Sequence, residues 1–298
     1  MSRPHKFQIT SLASLALLLF CLLPVLSPVA GFSADTFDVG GSEIQVPVPV
    51  GYVRVTEEMD AVERLAAQMT DPMNDQLAYY VIEADAPAAK RGEIPPLAYT
   101  CLLKVNKQIK TAQLSAKDFA TLKEATLQVN QQLTKQLKSQ IGDQLEKISE
   151  GISGEFDIDF AMQLSDVVPL DPHRDDANAF GYSIYIKYAN ADSIADGQDE
   201  QSGQSVVAAS MAMVNASGKV LFLYVYAPED ELESTRKSSS AWADAVLAAN
   251  SAPPGRSSGT GAGSGGFDWK RVLKMAIIGA IIGGLVGGIG ALTKRRKG

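Results

Sequence analysis

Val206 opens the run VVAASMAMVNASGKVLFLYVYA, which ends at Ala227 and decides the architecture of the folded part. Residues 206–214 and 220–227 read as two strands joined by the loop Asn215-Ala216-Ser217-Gly218-Lys219, whose Asn and Gly suit a tight hairpin turn. The second strand, VLFLYVYA, is apolar at both odd and even positions. Alternate residues of a strand point to opposite faces, so such a strand belongs in the middle of a sheet covered on both sides.

Working outward, Tyr182, Ile184, Ile186 and Tyr188 repeat with period two and predict a half-buried strand. Phe156, Ile158, Phe160 and Met162 predict another in the same way, which would set Asp157 and Asp159 side by side on its polar face. Residues 76–84 (QLAYYVIEA) and 99–109 are β-rich, and the proline-bounded stretch 87–96 between them reads as a loop. Near the start, Phe37-Asp38-Val39, Gly40-Gly41-Ser42 and Glu43-Ile44-Gln45-Val46 form a hairpin pattern. Pro47 and Pro49 cannot donate to a ladder, so the chain there should run on a sheet edge or leave the sheet.

Three helices are predicted. Residues 57–69 place Met59, Val62, Leu65, Ala66 and Met69 at helical spacing before Asp71-Pro72. Ser115-Ala116-Lys117-Asp118 is a capping signal with Asp in place of Glu. It opens a long helix with an apolar stripe through Leu122, Val129, Leu133, Leu137, Ile141, Leu145, Ile148 and Ile152, stepped mostly by four, which favours packing on a sheet over a coiled-coil seam. Residues 229–250 carry Leu232, Trp242, Val246 and Leu247 on a third helix. The fold class expected is α+β, an antiparallel sheet flanked by helices, with one further transmembrane helix at the C-terminus.

That last helix rests on residues 272–292, VLKMAIIGAIIGGLVGGIGAL, about the ~20 apolar residues a helix needs to cross a bilayer. Lys294-Arg295-Arg296-Lys297 follows, and cations beside a span mark the cytoplasmic side. At the other end, Arg3 and Lys6 precede an apolar stretch at 12–26, the pattern of a secretory signal cleaved near residues 30–34. The expected organisation is a signal at 1–33, an exported domain at 34–250, a Gly/Ser-rich linker at 251–266, and an anchor with a basic tail at 267–298. The expected location is a bacterial cytoplasmic (inner) membrane, with a single span, the domain outside and the C-terminus in the cytoplasm. The linker has an r.m.s. span of about 20 to 24 Å as a random coil.

Charge is divided accordingly. Residues 34–252 hold 17 Lys and Arg against 33 Asp and Glu, whereas 253–298 hold eight cations and one acid. A domain this acidic is repelled by nucleic acid, which is not an expected partner. Cys21 lies in the signal and Cys101 in the apolar run Tyr99-Thr100-Cys101-Leu102-Leu103, so the exported part has no internal disulfide and its thiol should be buried and inert.

The order of hairpin, Val46-Pro47-Val48-Pro49-Val50-Gly51-Tyr52, short helix, two strands, long helix, antiparallel strands with the Gly218 turn and a Trp-bearing last helix resembles the PsbP-like α/β/α sandwich family. The resemblance covers residues 37–250 and implies a docking or assembly factor rather than an enzyme. The Gln/Lys-rich long helix and the C-terminal anchor depart from it.

Chemistry is sparse. His5 lies in the signal, so His173 is the one imidazole left for a catalytic triad or a metal, and a multi-His zinc cluster is excluded within one chain. Asp171, Asp175, Asp176 and Asn178 surround it and supply oxygens of the kind Ca²⁺ takes, without EF-hand spacing. No cofactor motif is present. The function expected is a membrane-anchored extracytoplasmic binding or assembly protein; the alternative is an envelope enzyme using carboxylates such as Asp157 and Asp159.

Within the span, Gly279, Gly283 and Gly287 recur every fourth residue, and Gly284 and Gly288 form a second row. Such rows let helix backbones approach, so the anchor should associate with itself or with another membrane protein. Gly283→Ile with Gly287→Ile should leave insertion intact and lower association in a membrane two-hybrid assay, whereas Ile281→Leu, off the row, should not. Equal signals from all three chains would reduce the glycines to composition.

Overall fold

The computed structural model describes residues 33–69, 72–157, 162–190 and 204–251, with backbone only at 129–144, 162–164, 189–190 and 204. The apolar run at 272–292, its glycines and the cations at 294–297 lie outside the described residues, as do Asp159 and the signal. Among the described residues no helix is long and apolar enough to cross a membrane.

In chain order the elements are β1 (Ala34–Asp38), β2 (Glu43–Pro47), β3 (Tyr52–Arg54), a 3-10 turn (Glu57–Met59), α1 (Asp60–Gln68), β4 (Asn74–Ile82), α2 (Ala86–Lys90) and β5 (Thr100–Asn106). Then come α3 (Ala116–Phe156), β6 (Met162–Pro169), β7 (Arg174–Asp175), β8 (Ala179–Asn190), β9 (Gln204–Ala216), β10 (Lys219–Pro228), a second 3-10 turn (Glu229–Glu231) and α4 (Leu232–Ala249). The fold is α+β with an antiparallel sheet flanked by helices, ordered β3-β4-β5-β10-β9-β8-β6, with β7 also paired to β8. β1 and β2 pair only with each other, so at Pro47 the chain leaves that two-stranded sheet before β3 joins the main one.

β10 is central, between β5 and β9, and its residues through Ala227 are all buried. Val220, Phe222, Tyr224 and Tyr226 enter one apolar layer with Val62 and Leu65 of α1 and Phe119, Leu122, Leu145, Ile148 and Ile152 of α3. Leu221, Leu223 and Val225 enter the other with Trp242, Ala243 and Val246 of α4 and Val39, Ile44 and Val46 of the β1–β2 hairpin. The β9–β10 turn is only Ser217-Gly218, both at positive φ (50° and 82°), the geometry a two-residue hairpin demands. A Cβ on Gly218 would meet the Gln113 side chain at 2.0 Å, and Gln113 Nε2 donates to Ser217 O. The turn therefore also docks the approach to α3.

α3 starts as its cap signal requires: Ser115 Oγ accepts from Asp118 N, and Asp118 Oδ2 accepts from Ser115 N. The described ends of its stripe lie on the sheet, in keeping with sheet packing; the side chains of Val129, Leu133, Leu137 and Ile141 lie outside the described residues. Two expectations need correction. The stretch 87–96 is not all loop, because Ala86-Pro87-Ala88-Ala89-Lys90 forms α2, with Pro early in the turn where its missing N–H costs nothing. The strand expected from Phe156 does not start there either: helix continues through Phe156, and Asp157 caps it in the left-handed region (φ 49°), its N–H donating to Ser153 O.

α4 is pinned at its far end. Trp242 Nε1 donates to Pro47 O at 2.8 Å, and its ring meets Tyr80 edge-on with centroids 5.5 Å apart. Asn250 Oδ1 accepts from Gln45 N while Nδ2 donates to Gln45 O, so the helix end completes the edge of β2.

Cys101 is fully buried against the α4 layer, and burial pushes its thiol well above the ordinary range despite a hydrogen bond with Tyr52. In a Cys21→Ser chain, a polar maleimide should label Cys101 only at the rate of unfolding, and Cys101→Ala should cost about 1 kcal/mol in urea denaturation. Fast labelling of folded protein would contradict the packing.

Candidate functional site

Among the described residues, those the sequence singles out for chemistry are constrained by their surroundings; Asp159 lies outside them. Asp157 is exposed at a helix end, so the Asp157 and Asp159 pair is not presented from a strand as expected; its backbone is turned into αL by the helix stop. Two of the acids around His173 are held by cations. Asp175 pairs with Lys123 at 2.6 Å, and Asp176 pairs with Arg174 at 2.8 Å while its Oδ1 accepts from the N–H groups of Asn178 and Ala179. Burial pushes the Asp176 carboxyl up, but those N–H groups and Arg174 outweigh it and hold the group below its usual range. Among the described residues no group of three His, Cys, Asp or Glu side chains could hold a metal ion.

His173 belongs to a polar seam between sheet and α4. Its Nδ1 lies 3.2 Å from Ser183 Oγ on β8, Ser183 Oγ lies 2.8 Å from Ser210 Oγ on β9, and Ser210 Oγ lies 2.8 Å from Thr235 Oγ1 on α4. Arg236 Nε donates to Ser183 Oγ. Ser183 and Ser210 are fully buried, so neither hydroxyl can reach a substrate as a nucleophile. The Ser-His contact is made through Nδ1 inside a closed network.

Arg174 extends the seam. Its guanidinium donates to Asp176, to Ser240 O and to Asp244, the last two on α4. Burial pulls the group down, yet its two carboxylate partners outweigh that and raise it, which keeps it charged. Nothing in the sequence ties Arg174 to a helix 66 residues on; the pairing exists only once β7 turns back onto β8.

One cleft is formed from described residues at the other end of the sheet. β3 pairs only with Tyr80 to Ile82, and Val55 N donates to Tyr79 O. Earlier residues of β4 have β5 on one side and no described strand on the other. A cleft of about 570 Å³ opens there, with Arg54, Glu63, Asp75 and Gln76 among its lining and Lys107 and Lys110 at its rim. Asp75 binds both lysines, at 3.7 and 2.8 Å, so its carboxylate is already engaged. A bulge between Gln76 and Ala78 interrupts the ladder, a feature that turns an edge away from strand addition.

With that geometry in view, the chain is similar to the solution structure of cyanobacterial PsbP (CyanoP) from Synechocystis sp. PCC 6803, at 11% sequence identity, 76% of this chain and 96% of that chain covered, and a TM-score of 0.28. The chain is weakly PsbP-like. At that identity and score the likeness carries nothing about ligands or partners. No protein-family model and no curated protein matches the sequence.

Arg174→Met should lower stability by about 1–2 kcal/mol in urea denaturation, since a mostly buried side chain loses charged hydrogen bonds to a helix carbonyl and a carboxylate. A neutral result would show that β7 and α4 hold together without it.

Proposed function

We propose that this protein is a membrane-anchored extracytoplasmic binding or assembly protein of a bacterial cytoplasmic membrane. Residues 34–250 form the outer domain, 251–266 tether it, and the helix at 267–298 crosses the membrane once with the C-terminus inside. The observation that carries the reading is the run at 272–292, apolar but for Lys274 near its outer end and followed by Lys294-Arg295-Arg296-Lys297, with an export signal at the opposite end of the chain. Asn250 supports it: the last helix is fastened to Gln45, and its carbonyl accepts from Ser217 Oγ, so the tether leaves from a fixed point on the domain. The binding role is supported by the way the polar groups of the seam are used, since Ser183, Ser210, His173, Asp175 and Asp176 serve internal contacts. Contact with other membrane proteins falls to the glycine rows of the span.

Protease added to intact spheroplasts should digest the domain while a C-terminal tag stays protected, and alkaline carbonate should leave the chain in the membrane. Digestion only after lysis would reverse the orientation, and release by carbonate would remove the anchor.

A further inference from the structure

The seam between β7, β8, β9 and α4 has a direction that can be worked out proton by proton. Thr235 Oγ1 lies 2.7 Å from Leu232 O, and a carbonyl only accepts, so the Thr235 hydroxyl proton points there. Thr235 Oγ1 must then accept from Ser210. With its proton spent, Ser210 accepts from Ser183. Ser183 in turn has none left for His173, so His173 Nδ1 carries the hydrogen and donates to Ser183 Oγ, beside the Arg236 Nε–H that does the same. One tautomer follows: Nδ1–H, with the lone pair on Nε2.

That lone pair has nowhere to put a proton. Nε2 is buried with no hydrogen-bond partner among the described residues, and a Cβ built on Gly181 would come within 2.7 Å of it, so the ring packs closely against β8 at a position that suits glycine. The charged groups facing the ring are Arg174 from β7, with its partners Asp176 and Asp244, and Arg236 and Glu233 from α4; β8 and β9 present only hydroxyls. Glu233 is already paired with Arg236 at 3.0 Å. A second proton on the ring would set a cation near two guanidinium groups, with its new N–H buried and facing no acceptor among the described residues.

We propose that His173 is an acid-sensitive latch on α4. While the ring is neutral, the one-way chain from its Nδ1–H to Leu232 O ties the β7 loop and the sheet to the first turns of that helix. When the ring takes a second proton it must leave Gly181, withdrawing its donor from Ser183 and displacing Arg174, the other tie to α4 through Ser240 O and Asp244. The Trp242 and Asn250 contacts at the far end do not involve the imidazole, so loosening centres on the first turns of the helix.

Burial, then Arg236 and Arg174, pull the ring down from 6.5 to about 4. A His with a folded value below its unfolded one binds more protons unfolded in between. The tie is therefore intact above pH 6.5 and lost as pH falls from there toward about 4.

In a full-length His5→Gln chain in micelles, the one remaining imidazole can be followed by ¹⁵N NMR. The expected result is the Nδ1–H tautomer at pH 7 and a titration midpoint well under 6.5. Hydrogen exchange, corrected for intrinsic rates, should show α4 protection near residues 235–240 falling at least about tenfold across the window. In His173→Asn, whose amide keeps a donor at the Nδ1 position and cannot titrate, protection should change by less than about twofold. An Nε2–H tautomer, an ordinary midpoint, constant protection in the parent chain, or an equal loss in His173→Asn would each overturn the proposal. The tautomer and midpoint are read without that variant and decide the matter even if it does not fold.

Discussion

Strand β10 sends Phe222, Tyr224 and Tyr226 into one apolar layer and Leu221, Leu223 and Val225 into the other, so neither layer can open without exposing the strand that the other is built on. Every remaining element is placed by this constraint. α1 and α3 cover one face; α4 and the β1–β2 hairpin cover the other, where no further strand of the main sheet is available to do so. Two-sided burial also makes the middle of the sheet unsuitable for chemistry, because any polar group there must be satisfied internally.

α4 shows how such a layer is held by different forces along its length. Its second half relies on apolar packing around Trp242 and on the Asn250 contacts that extend β2. The first half relies on hydroxyls, a guanidinium and an imidazole, each with a required proton direction. Apolar contacts are indifferent to pH, whereas a chain of hydrogen bonds that ends on an imidazole is not. One helix thus carries a robust end and a conditional end.

The same economy explains the absence of an evident catalytic centre among the described residues. Charges concentrated in one loop, such as Asp175, Asp176, Arg174 and Lys123, neutralise one another across β7, α3 and α4. In the cleft beside β4, the single carboxylate of Asp75 is shared between Lys107 and Lys110.

Much of the fold was legible in the chain because its signals are local: the double-faced apolar run of β10, the Ser217-Gly218 turn, the Ser115 and Asp118 cap and the spacing of Leu145, Ile148 and Ile152 each depend on neighbours within a few residues. The burial of Cys101 was legible for the same reason. Period alone misread Phe156, since an apolar residue there also fits the last turn of a helix, and only the packing of Ile152 and the αL stop at Asp157 resolved it. The polar seam was invisible in sequence: His173, Ser183, Ser210 and Thr235 are spread over four elements, and isolated hydroxyls in strands have no pattern. Sequence by itself determined most of the strands and helices and that one strand is central. Tertiary structure alone decided which polar groups meet, because hydrogen-bond partners distant in the chain are chosen by strand register and helix placement rather than by spacing.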